Sequence, residues 1–166
     1  VPGPEEVRPT RLRRARREDI PALLGVVGGP AAGRARALRR ILKTLAADVY
    51  VLDRDRRIDG VVAVFYRRSL HEGGLVATID ALASFAHGED GSDERSPGAD
   101  AESLLEHAIE RAKKRGCVAV HVAIDSASLR SALGERGFVT GPPHLVRALD
   151  SGASRADASE VEERDG

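Results

Sequence analysis

The segment Thr78-Ile79-Asp80-Ala81-Leu82-Ala83 is followed, after a long polar loop bearing glycines, by Leu104-Leu105-Glu106-His107-Ala108-Ile109-Glu110-Arg111-Ala112, and then by Val118-Ala119-Val120-His121-Val122-Ala123-Ile124. The first reads as a strand, the second as the body of a helix over Asp100 to Arg115, and the third as an apolar strand. A helix entered from a loop presents unpaired backbone N–H groups in its first turn, which is where phosphates bind. The reading of the whole chain depends on this strand-loop-helix-strand unit.

Upstream, Val49 to Leu52 and Ile58 to Arg68 read as strands joined by a charged turn at Asp53 to Arg57, with a bulge expected at Gly60. His71 to Gly74 turns the chain, so Leu75 to Ala83 returns antiparallel. Further back, Arg11 to Arg16 suits a short strand, with Leu12 and Arg14 facing opposite to Arg13 and Ala15. Glu18-Asp19-Ile20-Pro21 marks a helix start, with acid at the cap and proline in the first turn. That helix runs from Ile20 to Val27. A second is expected from Gly33 to Ala46, with Ala37, Leu38, Ile41, Leu42 and Leu45 on one side and Arg36, Arg39, Arg40 and Lys43 on the other.

Downstream, Ser126 to Arg136 reads as a helix stopped by Gly137, then Phe138 to Thr140 and His144 to Leu149 as strands. Residues 1–10 read as a loose arm and 151–166 as a disordered acidic tail, leaving 11–150 as one domain.

With 26 Lys+Arg and 26 Asp+Glu the 166-residue chain has zero formal charge, so no global field recruits nucleic acid or an anionic membrane. Six arginines lie between Arg8 and Arg17, yet no aromatic residue is interleaved for base stacking; an edge strand guarded by charge is the better reading. Cys117 is the single cysteine, which excludes an intrachain disulfide and favours a reducing, cytoplasmic setting. His87, His107 and His144 have no metal-ligand spacing with one another or with Cys117, so no metal is expected. The chain has no methionine, and its start at Val1 is expected to be processed or trimmed.

The order of elements resembles that of the GNAT superfamily of N-acetyltransferases. Arg13 to Leu24 is similar to that family's opening strand and helix, Leu104 to Cys117 to the helix after its cofactor loop, and Glu135-Arg136-Gly137-Phe138 to its closing helix-strand junction. The resemblance implies an α+β acyl-CoA N-acyltransferase fold, a mixed sheet of about six to seven strands flanked by about four helices. It implies acetyl-CoA as co-substrate and transfer of an acetyl or short acyl group to an amine by direct attack in a ternary complex. The acceptor would be a small-molecule or peptide amine, and the exposed last strand would suit a homodimer.

In that family the fourth and fifth strands splay, and the pantetheine arm pairs with freed backbone of the fourth, here Leu82, Ala83 and Ser84. The pyrophosphate loop reads Gln/Arg-x-x-Gly-x-Gly/Ala. Here two registers stand, Ser96-Pro97-Gly98-Ala99-Asp100-Ala101 and Arg95-Ser96-Pro97-Gly98-Ala99-Asp100. Arg95, Gly98, Ala99, Ala101 and Ser103 are thereby expected at the cofactor. Asp100 departs from the pattern: a carboxylate ~4 Å from a phosphate costs on the order of a few kcal/mol, unless Asp100 is the helix cap.

Leu133 occupies the position where many members carry a proton-donating tyrosine. Asp80, His121 and Asp125 are candidates for the general base, against a structural reading in which Asp80 pairs with an arginine and His121 is half-buried. The altered loop and Leu133 support an alternative, a GNAT-fold domain that binds or scaffolds without catalysis.

Overall fold

In a computed structural model of the chain, the residues described are 10–27, 31–84, 97–123, 130, 133–139 and 141. The strands are β1 (Arg11–Arg14), β2 (Ala47–Arg54), β3 (Arg57–Ser69), β4 (Gly74–Ser84) and β5 (Cys117–Val122). The helices are α1 (Ile20–Val27), entered through a 3-10 turn at Arg17–Asp19, then α2 (Ala31–Ile41) and α3 (Pro97–Lys114). One mixed sheet runs β1-β2-β3-β4-β5, antiparallel except for the parallel β4–β5 pair that closes it through the α3 crossover.

Two apolar layers follow from strand alternation. On one face Tyr50, Leu52, Val62, Val64, Tyr66, Ala77 and Ile79 meet Leu104, Leu105, Ala108 and Ala112 of α3. On the other, Ala15, Val49, Val51, Ile58 and Val61 meet Leu23 of α1 and Leu38 and Ile41 of α2. Each fully buried aliphatic side chain contributes about 1.5–3 kcal/mol, so both helical layers are held firmly to the sheet.

The mixed α+β architecture is as expected, with five strands among the described residues. Phe138 and Val139 are not in a strand. Instead the Phe138 N–H bonds the Leu133 carbonyl at 3.0 Å and the Gly137 N–H bonds that of Gly134 at 3.0 Å, with Gly137 at φ 79°. This is a Schellman cap, which commits Gly137 and Phe138 to ending a helical turn. Thr140 and the strand expected at 144–149 lie outside the described residues, as do the tail at 151–166 and all of the arm but Thr10.

Helix α2 stops at Ile41 rather than Ala46. The chain tightens there, Arg40 accepting from both Lys43 and Thr44, and the Thr44 hydroxyl accepts from the Ala46 N–H at 3.2 Å. Leu45, expected on the apolar side, is 82% exposed. Helix α3 begins three residues earlier than expected, at Pro97. A proline at the first helical position loses no hydrogen bond and presets φ, so Gly98, Ala99 and Asp100 are helical residues rather than loop or cap. A bulge does sit beside Gly60, where Asp59 is the extra residue between the pairs Leu52↔Gly60 and Asp53↔Ile58.

Candidate functional site

β4 and β5 pair from Leu75↔Cys117 to Ile79↔Val122, and the last bond described between them runs from the Ala123 N–H to the Ile79 carbonyl at 2.9 Å. β4 continues to Ser84, paired with β3 as far as Gly60↔Ser84. From Asp80 onward β4 therefore has a neighbour on one edge only, among the described residues. The pairing ends three residues before the expected point at Leu82.

A bulge in β4 sets that point. Ala63↔Ala81 is followed by Val64↔Ile79, leaving Asp80 as the extra residue. The bulge flips the inward parity, so that Ala77, Ile79 and then Leu82 all face α3, while Ala83 turns to the α1–α2 side. Asp80 is exposed and makes no ion pair among the described residues; the expected alternative, an arginine partner, does not form there.

The start of α3 arrives at the far end of this open edge. A Cβ on Gly60 would meet Leu104 Cδ1 at 2.9 Å and the Ala83 carbonyl at 3.1 Å, so glycine leaves room for α3 to pack close to β3 and β4 here. Leu82, Ala83 and Ser84 are thus brought near the helix turns that carry Ala101 and Ser103, whereas Arg95 lies outside the described residues.

Asp100 is not alone. Arg54 Nη2 lies 3.6 Å from its carboxylate, Arg54 Nε lies 3.1 Å from that of Asp59, and the same Nε donates to Thr10 Oγ1 at 3.0 Å. One guanidinium thus faces two carboxylates, one in the α3 first turn and one in the β3 bulge. The charge that would repel a phosphate is in part answered. Arg54 was not singled out by the sequence reading, although its place at the end of a strand beside a turn was visible.

His121 lies on β5 opposite Thr78, and its Nε2 stands 3.4 Å from Glu72 Oε1 in the β3–β4 turn. Both side chains are about one-third exposed. Glu72, read from sequence as an ordinary turn residue, is the acid that faces this histidine. Asp125 lies outside the described residues. Cys117 is packed at the start of β5, and burial pushes its thiol up from the usual value, which suits packing rather than nucleophilic chemistry. No group of three or more His, Cys, Asp or Glu that could hold a metal occurs among the described residues, nor does a helix there have the length and apolarity to cross a membrane.

A second polar centre, missed entirely by sequence, lies on the α3 face. Asp48 is 1% exposed. It accepts from the Tyr66 hydroxyl at 3.0 Å and stands 3.1 Å from Arg14 Nη2, 3.2 Å from Arg115 Nε and 3.7 Å from Arg111 Nη2. Arg115 also stacks 4.2 Å above the Tyr66 ring. Burial and Asp48 push the Tyr66 hydroxyl well above its ordinary value, so it stays a donor.

No protein-family model and no curated protein sequence matches the chain. Solved structures do. An acetyltransferase from Trypanosoma brucei is 18% identical, with 85% of this chain and 100% of that one aligned at a TM-score of 0.64. Glucosamine-6-phosphate N-acetyltransferase from Arabidopsis thaliana is 14% identical, over 86% of this chain and 100% of that one, at 0.65. A transcriptional regulator from Bacillus halodurans is 20% identical, over 84% and 99%, at 0.69.

The fold is that of the GNAT N-acetyltransferases. Leu133, at the position of the usual tyrosine, is 8% exposed and belongs to the apolar cluster under α3. It packs the core and has no proton to give.

Proposed function

We propose that the chain binds an acyl-CoA along the open edge of β4 and transfers its acyl group to an amine. One observation carries this reading: β4 loses β5 after Ile79 yet runs on to Ser84, where α3 begins. Backbone groups of Asp80 to Ala83 that face no second strand need a partner, and an amide-bearing chain supplies one. The first-turn N–H groups of α3 offer a seat for a diphosphate, and Arg54 offsets the charge of Asp100 beside them.

Bound there, acetyl-CoA would supply a thioester open to attack by an amine. Asp80, exposed where the strands part, would take a proton from the ammonium form of the acceptor. His121 is the second candidate, with its Nε2 facing the Glu72 carboxylate at 3.4 Å. With Leu133 in the core, the proton for the departing thiolate would come from water. Proton donation is worth typically ~100- to 10,000-fold, and positioning contributes separately.

The burial of Leu133 favours a second reading, a GNAT-fold domain that binds or scaffolds without catalysis. Calorimetry with acetyl-CoA, followed by an acetylation assay on a panel of amines, separates the two. Saturable binding with CoA release supports the enzyme, and binding without release supports the second reading. No binding at millimolar acetyl-CoA removes the enzyme and leaves the scaffolding domain.

A further inference from the structure

We propose that a cleft between the turn after β1 and the end of α2 is a docking site for an acidic peptide segment carrying an apolar residue. The cleft encloses about 210 Å³, with Ala15 and Leu42 at its floor and Arg16, Arg17, Arg39 and Lys43 around it. Ala15 is fixed by its N–H bond to the Val49 carbonyl at 2.8 Å, and Leu42 by its bond to the Leu38 carbonyl at 2.9 Å. The floor is therefore part of the folded core, not a property of mobile side chains.

The surrounding charge is not spent inside the fold. Arg16 has a loose contact with Glu18 at 3.5 Å, both side chains being at least 65% exposed. Arg17, Arg39 and Lys43 meet no acid among the described residues. Asp19, in the 3-10 turn beside Arg17, is already held by Arg13 through two bonds of 2.8 and 2.9 Å and by the Arg16 N–H at 2.6 Å. On α2 and the turn that follows, Arg36 with Arg40 and Arg39 with Lys43 are spaced as like-charge neighbours, an arrangement that works against the helix.

Cations at a helix C-terminus complement its dipole, which accounts for Arg39 and Lys43. It does not account for Arg16 and Arg17, which come from another element and face the same floor. Since the whole chain has zero formal charge, this concentration is local. Carboxylates on the rim and one aliphatic side chain on the floor complete both halves of the cleft. No aromatic ring lines it, so it lacks the stacking platform of a single-strand binder. The inference is independent of acyl transfer.

The test uses the full chain and a fluorescein-labelled Glu-Glu-Leu-Glu-Glu peptide, read by anisotropy. Saturable binding is expected, weakening as NaCl rises. The exposed-site pairs Arg39→Glu with Lys43→Glu, and separately Arg16→Glu with Arg17→Glu, should each weaken it ~10-fold or more. Arg67→Glu with Arg68→Glu, on exposed β3 positions, should leave it unchanged, and circular dichroism checks that every variant is folded. The proposal is overturned by absence of saturable binding at millimolar peptide, by rim variants that bind like the parent, or by equal binding of a Lys-Lys-Leu-Lys-Lys peptide. Tighter binding of a single-stranded oligonucleotide would overturn it in favour of nucleic acid. Binding that emerges only after deletion of 150–166 would assign the cleft to the chain's own acidic end.

Discussion

Asp48 and Asp80 lie at nearly the same height in one sheet, on β2 and β4 with β3 between them, a separation of about 10 Å at ordinary strand spacing. Their surroundings are opposite. Asp48 lies beneath the last turns of α3, where a carboxylate persists only if opposite charge and hydrogen bonds replace water; it has three guanidiniums and a tyrosine hydroxyl. Asp80 sits where the sheet opens, solvated and without an ion pair among the described residues. The same side chain serves cohesion where the sheet is covered and remains available for chemistry where a bulge turns the strand away from its neighbour.

That contrast breaks or holds under paired substitutions. Asp48→Ala should lower unfolding stability by about 3 kcal/mol, because three arginines lose their shared counter-charge; urea denaturation measures it, and a loss under ~1 kcal/mol would show the cluster to be solvent-screened. Asp80→Asn should leave stability within about 0.5 kcal/mol. If Asp80 is the base, that change should lower kcat/KM by roughly 100-fold or more at neutral pH. Equal destabilisation by the two substitutions would erase the distinction between the sites.

The order of elements was legible because helical and strand periods stand out in α3, β3 and β4. The bulge at Asp80 was not legible: Ala77, Ile79, Ala81 and Ala83 keep an apolar period of two through it, so the reading placed the parting of the strands just after Leu82. Asp48 was not legible. It shares a face with Tyr50 and Leu52, but a charged residue at a strand start reads as exposed. Only the distant Arg14, Arg111 and Arg115, brought in by topology, make its burial tolerable. Leu45 failed for the converse reason: its helical spacing is correct, but the helix ends before reaching it.

A smaller effect tests whether the open side of the sheet also carries backbone strain. The β2–β3 loop holds Asp55 at φ 52° and Arg56 at φ 67°, a two-residue turn that favours glycine at its second position. Arg56→Gly should therefore raise stability by about 1 kcal/mol. The bond from the residue-56 N–H to Asp53 Oδ1, 3.0 Å long, does not depend on the side chain. An unchanged or lower midpoint in urea would show that the gain is cancelled by the freedom glycine adds to the unfolded chain.

The smallest expected effect concerns His107, on the covered side near Asp48. Its ring meets Tyr50 edge-on at 4.4 Å between centroids, and its Nε2 is buried without a hydrogen-bond partner. Burial holds its pKa below the ordinary 6.5, reinforced by Arg111 and Lys114 and opposed by Asp48. As pH falls below 6.5 the unfolded chain takes up this proton before the folded one does, so His107 makes stability decline on acidification. His107→Phe keeps an aromatic edge against Tyr50 and removes the titrating group. Between pH 7.5 and 5.5 the melting temperature of the parent should thus fall further than that of the variant. Parallel curves would mean that the ring takes its proton in the fold as readily as in water, with Asp48 supplying its counter-charge, and the covered side would then be less dry than the contrast with Asp80 requires.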